Sequence, residues 1–542
     1  HRLEYVLTPQ QTALYLACQR DKESLVYNMP VFIPLAKDAD IEKIKERIQY
    51  VYRSHPALRT AVALKGEEIT GIIDEHAPLI FEDFEKKEEF LRPFDLTKAP
   101  LMRAGFGCGG LALDFHHIVA DGESLYRLLD EIFHGVQPSE KAGYADYAAY
   151  FKNRLADGGF DRHKEYFKNL LHTDIEPVEL PEHKHTGSRA AGAGSTYILR
   201  RETVNIVKNF AVSNNLTETC VYLAVYGMLL ADYTNKRQIV SGIILSNRTH
   251  AQMKDVCGMF VNTVPLVQNL DADAGFLEYA DRLNKTLLEL YQYQELLFLE
   301  ICKAAGIADR NVVNTVFIYQ PWERGSGGME WEYMDTGTYK FDLSFQAVPQ
   351  ADECCKIMME YNAGKYDSTL MRRLAAGFER LICQIAADRK LKDFSVLSKE
   401  EYQLVVYGFN DTASGYQTQK CVHELLQQKF AEYADRTALV FRGQAYTYKQ
   451  LDEMSNALAH ALREAGVGPG DIVPVITRRS WHIAAAMLGV LKAGGAFMPA
   501  DPDYPQERIA YMIREAGSRL ALTYGFHREL PVKAIDLGTF DY

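Results

Sequence analysis

Leu111–Gly135 reads LALDFHHIVADGESLYRLLDEIFHG. Leu111, Leu113 and Phe115 alternate with Ala112, Asp114 and His116, the two-residue period of a strand, and His117 falls on the face of Leu113 and Phe115. Beyond it Leu125, Leu128, Leu129, Ile132 and Phe133 recur at helical spacing, and Gly135 is placed to end that helix. His116, His117, Asp121 and Gly122 therefore occupy a strand–turn–helix junction. Such a junction exposes side chains and aims free backbone N–H groups at one spot. Alone, a His-His pair reads as ordinary sheet residues and Asp121 as a helix cap. The full spacing, His-His-x-x-x-Asp-Gly at a strand end, is far more specific.

Outward from this stretch, helices alternate with short apolar strands. Ile41, Ile44, Ile48 and Val51 form a helical stripe after Asp40, and a long helix capped by Thr217 runs through Tyr222, Val225, Leu229 and Leu230. A strand from Ile239 to Leu245 follows, so the chain reads as α/β. Residues 182–195 (EHKHTGSRAAGAGS) are rich in Gly, Ala and Ser without apolar period and read as a mobile loop, whose His183 and His185 are solvated rather than metal ligands. A second break spans residues 408–419 (GFNDTASGYQTQ), preceded by the capping-box pair Ser398 and Glu401. The main domain boundary is expected there.

At 542 residues the chain exceeds one ordinary core. Its 60 Lys and Arg against 72 Asp and Glu leave a net charge of −12, which argues against a nucleic-acid footprint. The nine cysteines follow neither metal-ligand nor disulfide-framework spacing, as in a reducing, cytoplasmic setting. No apolar run is long enough to span a membrane, and no signal peptide opens the chain. The opening His1-Arg2-Leu3 reads as part of a longer polypeptide.

The histidine motif resembles the active-site signature of the condensation-domain superfamily, which includes chloramphenicol acetyltransferase-like enzymes. Other segments agree in order: Leu7-Thr8-Pro9-Gln10-Gln11 with Tyr27-Asn28-Met29-Pro30, Ser54-His55-Pro56-Ala57-Leu58-Arg59-Thr60, Tyr144-Ala145-Asp146-Tyr147-Ala148, Val256–Thr263 (VCGMFVNT), Asn314-Thr315-Val316-Phe317 and Phe341-Asp342-Leu343-Ser344. The resemblance covers about residues 1–400. The remainder resembles the start of an adenylation domain in Tyr446–Leu451 (YTYKQL) and Leu491–Asp501 (LKAGGAFMPAD). The Ser/Thr/Gly-rich loop with which adenylation domains grip ATP does not follow, so this region is expected to be truncated and inactive in amino-acid activation. No Gly-Gly pair carries the serine of a carrier protein, and no G-x-S-x-G elbow of a thioesterase is present.

The resemblance implies two chloramphenicol acetyltransferase-like lobes in a V, residues 1–175 and 176–400, then a linker at 401–420 and a partial α/β adenylation subdomain at 421–542. It implies a nonribosomal peptide synthetase elongation module of antibiotic-type secondary metabolism. In it the α-amine of one carrier-bound aminoacyl group attacks an upstream carrier-bound acyl thioester, an acyl transfer. Upstream donor and downstream acceptor carrier proteins, with substrates on phosphopantetheine arms, are the implied partners, together with the rest of an adenylation domain; no bound cofactor, metal, nucleic acid or membrane is expected. His117 is the implied catalytic residue, as general base or as orienting group, and the Gly122 N–H a candidate oxyanion donor. His116, Asp121, Arg248, Arg59 and Asn262 are implied supports, with Asp121 paired to Arg248. Glu123 stands where relatives often carry a large aromatic and is expected to face the acceptor tunnel. The absence of an Asp-Phe-Gly-Trp-Gly motif disfavours a stand-alone acyl-CoA enzyme. The segment Asn314–Phe317 and the following adenylation start disfavour an epimerisation domain, and the intact motif disfavours a silent docking platform and a heterocyclisation domain. Tyr27–Pro30 leans toward an L-configured donor; neither amino acid is specified.

Overall fold

A computed structural model describes residues 3–66, 68–139, 142–172, 175–181, 191–308, 310–320 and 331–542. The chain divides into two compact units, His1–Gly408 and Phe409–Tyr542.

Within the first unit, the Gly110–His116 strand lies at the centre of a five-stranded sheet ordered Glu332–Tyr333, Asn28–Pro34, Gly110–His116, Met102–Gly107, Phe81–Phe84. Asn28 lies opposite His116 on one side and Met102 opposite Phe115 on the other, both pairings antiparallel. All the residues of this strand are buried. Its alternation thus marks two packed faces rather than a packed face and a wet one. Leu111, Leu113 and Phe115 join Ile48, Val51, Leu125 and Leu128, supplied by the Ile41–Ser54 and Gly122–Phe133 helices. Ala112 packs instead with Phe32, Phe84, Phe90 and Met334. Burial on both sides is what a central strand covered by other layers requires, and it forces Asp114 and His116 to find partners inside the protein. Asp40 caps the Ile41–Ser54 helix by accepting from Lys43 N at 3.1 Å, and Gly135, at φ +72°, supplies the left-handed residue just beyond the Gly122–Phe133 helix.

A second, six-stranded sheet of this unit runs Asn262–Asn269, Gln238–Leu245, Thr315–Tyr319, Leu343–Pro349, Cys355–Asn362, Gly192–Leu199. The Glu218–Thr234 helix packs within the core, buried from Cys220 through Ala231 on every side, with Thr217 as its cap at 3.1 Å from Cys220 N. One element links the two sheets. Glu332–Tyr333, which follows the Thr315–Tyr319 strand in the chain, adds an edge to the five-stranded sheet, Glu332 opposite Phe32 and Tyr333 opposite Val31. The loop expected at residues 182–195 is corrected at its end. Residues 182–190, with His183 and His185, lie outside the described residues, but Gly192–Leu199 is an edge strand paired along its length with Cys355–Asn362.

In the second unit four parallel strands run Ala496–Ala500, Ile472–Thr477, Leu520–Tyr524, Lys533–Asp536. The His482–Ala493 helix connects the first pair and is closed by Gly494 in the left-handed region, completing a strand–helix–strand unit. No helix among the described residues is long and apolar enough to cross a membrane, and among them no cluster of three or more metal-ligating side chains is present.

Candidate active site

The site begins where the central strand runs out. His116 is the last strand residue, and the N–H of His117 leaves the ladder to donate to the Tyr27 carbonyl at 2.8 Å. The Ile118 carbonyl accepts from Gln11 Nε2 at 2.8 Å, and the Ile118 N–H donates to His116 Nδ1 at 3.1 Å. Asp121 then starts the Gly122–Phe133 helix by accepting from Ser124 N at 2.9 Å.

The two histidines are held differently. His116 is 3 % exposed, its ring lies edge-on to Phe94 at 5.8 Å, and burial pushes its imidazole down to about 3. Because Nδ1 accepts from Ile118, Nε2 carries the proton and faces Cys18 Sγ at 3.6 Å. Both ring nitrogens are thus occupied. His117 is half-buried, and its Nδ1 makes no hydrogen bond within the described residues. Burial, reinforced by the Lys340 ammonium, holds His117 well below the ordinary imidazole range, with Asp121 pulling the other way. A neutral imidazole at the end of a strand is free to accept a proton or a hydrogen bond.

Gly122 lies beside it on the same junction. Its N–H has no partner among the described residues, and a Cβ built on it would meet nothing within 4 Å. An unpartnered N–H in a helix's first turn, on a residue with open space beside its Cα, can receive a developing negative oxygen.

Asp121 faces away from this opening. Its carboxylate takes Arg248 Nη1 at 2.8 Å and Nη2 at 3.0 Å, Ser124 Oγ at 2.8 Å, and the backbone N–H groups of Phe260 and Val261 at 3.0 and 3.1 Å. Burial works to raise Asp121, but the Arg248 charge and these donors hold it below the usual carboxylate range. Arg248 also donates to Ser124 Oγ and the Val256 carbonyl and lies over the Phe260 ring at 4.4 Å. The Val256–Val261 segment is thereby tied to the junction. Tyr144 donates to the Met259 carbonyl at 2.7 Å, and Gln10 donates to that of Val261 at 2.7 Å. The Gly258 N–H donates to Ser124 Oγ at 3.1 Å, and the Gly258 carbonyl lies 3.1 Å from the same oxygen. Only glycine fits at 258, since a Cβ there would fall 2.0 Å from Tyr144 Cδ2.

Other residues read from the sequence lie elsewhere. Arg59 donates to the carbonyls of Tyr52 and Arg53 at 2.8 and 2.9 Å, closing the Ile41–Ser54 helix. Asn262 donates to the Gln294 and Leu296 carbonyls and accepts from Phe298 N, fastening the approach to the Phe298–Ala305 helix. Both hold the scaffold, and neither touches His117. Glu123 holds its Oε2 buried 3.6 Å from Arg248 Nη1, and burial raises its carboxyl. Ser124, which joins Asp121, Arg248 and Gly258, was missed by the sequence reading, although its place three residues after an N-cap marks it as the capped residue. Lys340 was missed as well. Its Nζ lies 6.0 Å from the Tyr27 ring centroid, and no periodicity in the sequence distinguishes it.

Residues 1–406 match the family described as "Condensation domain" and residues 426–538 the family described as "AMP-binding enzyme". The fold and the junction thus belong to one class: the chain is a member of the condensation-domain family, in the nonribosomal peptide synthetase arrangement in which an adenylation region follows. Tyrocidine synthase 2 of Brevibacillus parabrevis is 29 % identical over 96 % of this chain, and gramicidin S synthase 2 of Aneurinibacillus migulanus is 29 % identical over 96 %. The chain spans only 15 % and 12 % of those synthetases. A four-domain nonribosomal peptide synthetase crystallised with AMP and glycine shares the fold at TM-score 0.78, with 18 % identity, over 99 % of this chain and 45 % of that one. The first condensation domain of the calcium-dependent antibiotic synthetase, solved with a substrate analogue, shares it at TM-score 0.62, with 18 % identity, over 73 % of this chain and 99 % of that one.

Proposed function

We propose that the first unit forms an amide bond between two thioester-bound substrates carried on the phosphopantetheine arms of separate carrier proteins. The acceptor α-amine attacks the donor carbonyl, a C–N bond forms, the C–S bond breaks, and the amine's proton leaves as the donor arm's sulfur departs as a thiol. Tethering both partners supplies most of the proximity such a reaction needs. The chain then has to orient the amine, take charge on the tetrahedral oxygen and pass one proton.

The observation that carries this reading is the neutral, half-buried His117 on one junction with Gly122, whose N–H has no partner among the described residues and whose Cα borders open space. His117 accepts a hydrogen bond from the attacking nitrogen and receives its proton as the C–N bond forms. A free α-amine titrates at about 7.7–8.0, so part of it is already neutral and orientation counts for as much as basicity. The Gly122 N–H donates to the oxyanion. Asp121 and Arg248 fix the turn that carries both groups.

The test is a reconstitution with one donor-loaded and one acceptor-loaded carrier protein, read by mass spectrometry of the acceptor arm. An acceptor arm heavier by the donor acyl group supports the reading. An unchanged arm, with both carriers still loaded, overturns it.

A further inference from the structure

Residues 246–261 connect the Gln238–Leu245 and Asn262–Asn269 strands and carry the groups that meet the histidine junction. Arg248 grips Asp121, and the Phe260 and Val261 N–H groups donate to the same carboxylate. Both ends of this connection lead to one further acid, Glu295. Beside Arg248, Thr249 Oγ1 donates to Glu295 Oε1 at 2.6 Å, and His250 Nε2 lies 3.0 Å from that oxygen. Beside Val261, Asn262 Nδ2 donates to the Gln294 and Leu296 carbonyls at 2.8 and 2.9 Å, on either side of Glu295. The contacts thus close a ring, from Asp121 through Arg248, Thr249, Glu295, Asn262 and Val261 back to Asp121. The other Glu295 oxygen, Oε2, accepts from Arg154 on the Tyr144–Ala156 helix. Arg154 also donates to Tyr150 Oη, which lies 3.2 Å from His250 Nε2.

We infer that Glu295 is a positioning residue: its carboxylate closes the ring of contacts that fixes the Asp121 turn, and so keeps His117 and the Gly122 N–H in register for the reaction. This rests on the amide-forming reading, which supplies the reaction. Arg248 arrives on a connecting segment rather than on a strand or helix, and such segments are the parts of a fold that open most readily. A side chain that has to hold a reacting geometry needs its own support. Glu295 gives that support from one point. Its carboxylate meets a guanidinium, a hydroxyl and an imidazole from two other stretches of chain, and hydrogen bonds to a charged group are roughly twice as strong as neutral ones. The Tyr144–Ala156 helix that supplies Arg154 also holds the connection directly, through Tyr144 and the Met259 carbonyl. Among the described residues no hydrogen bond or ion pair joins Glu295 to His117 or Gly122, so its effect passes through Arg248 and Asp121. Glu295 and Arg154 are 17 % and 29 % exposed, so water can take over the Arg154 charge when the acid is removed, and the fold survives. The Asp121–Arg248 pair, fully buried, has no such relief.

The test compares wild type, Glu295→Ala and Glu295→Gln in the full chain with loaded carriers, measuring kcat, the KM for each carrier and the melting temperature. In Glu295→Ala kcat falls by on the order of tenfold, short of the roughly 10²-fold that a misplacement of about 1 Å can cause, while KM and the melting temperature stay near wild type. Glu295→Gln keeps an acceptor oxygen at the same reach and recovers part of the loss. A raised KM at full kcat, a rate that only tracks a lowered melting temperature, or a Glu295→Gln rate no better than that of Glu295→Ala overturns the proposal. Hydrogen exchange read by mass spectrometry supplies a readout that does not depend on turnover. The N–H groups of Ser124, Phe260 and Val261, all held by the Asp121 carboxylate, exchange faster in Glu295→Ala. Faster exchange confined to residues 293–297 overturns the proposal as well. If the wild type forms no amide product, the functional reading falls, and the exchange comparison still decides whether Glu295 orders the Asp121 turn.

Discussion

The Asp121 carboxylate and the Arg248 guanidinium meet fork to fork, Nη1 on Oδ2 at 2.8 Å and Nη2 on Oδ1 at 3.0 Å, although 127 residues separate them. Both are buried, at 1 % and 3 % side-chain exposure. Removing one partner strands the other. Asp121→Ala leaves Arg248 uncompensated and bares the Phe260 and Val261 N–H groups, and such a loss costs about 3–5 kcal/mol. Thermal unfolding of the variant should therefore begin well below that of the wild type, before any effect on chemistry is measured.

His117→Ala and His116→Ala should fail in different ways. A positioned proton-transfer group contributes about 10²–10⁴ in rate, so His117→Ala loses product formation on that scale and keeps its melting temperature. His116→Ala removes the acceptor of the buried Ile118 N–H and a ring packed beside Phe94, and an unsatisfied buried donor alone costs about 1–3 kcal/mol. Paired product and melting measurements on both variants check the division.

Two glycines give a second contrast. Gly258→Ala drives a methyl group into Tyr144 and pushes the Val256–Val261 segment off the junction, so both stability and turnover fall. Gly122→Ala meets no protein atom within 4 Å, so the melting temperature is unchanged. If Gly122 serves the oxyanion as proposed, the methyl group crowds the reacting carbonyl, so kcat falls with the fold intact. Circular dichroism melts and single-turnover rates separate the two outcomes.

Asp114 sets a pH dependence of stability. Burial raises its carboxyl to about 7 against the lowering pull of Arg103 and Asn28, and burial likewise lowers Arg103 to about 10. Both members of this 3.4 Å pair are pushed toward neutrality. In the unfolded chain an aspartate titrates near about 3.9. The native state therefore binds a proton that the unfolded state releases, and this stabilisation is complete below about pH 4 and lost as pH rises through about 7. The melting temperature should fall between about pH 4 and about pH 7, level off above that, and fall less in Asp114→Asn.

The histidine strand and its helix were legible because their side chains carry two clean periods, and the turn between them because Asp and Gly are the residues such a turn uses. The Asp121–Arg248 pair followed from resemblance alone; nothing in spacing joins residues so far apart. Arg59 and Asn262 sit in strongly patterned segments, yet their side chains bond backbone carbonyls of the scaffold, a distinction sequence pattern does not carry. Gly192–Ser195, the first half of the Gly192–Leu199 strand, reads as loop because an edge strand can be held by backbone pairing, with small side chains and mixed exposure. Lys340 was invisible for a related reason: one lysine before Phe341 has no period, and its place depends on where the returning chain passes.

The strand Glu332–Tyr333 has an evolutionary and practical consequence. Without it, Asn28–Pro34, with its buried Met29, Val31, Phe32 and Ile33, would offer a bare apolar edge to any passing strand, a well-known route to aggregation. A fragment that stops before residue 176 should accordingly precipitate, and adding residues 191–408 in trans should rescue its solubility. Recombination or engineering that exchanges one lobe for that of a distant relative must also match a strand contributed by the other. The natural unit of swapping in this protein is the whole stretch up to Gly408, because the sheet carrying the histidines is finished by chain that arrives some 200 residues later.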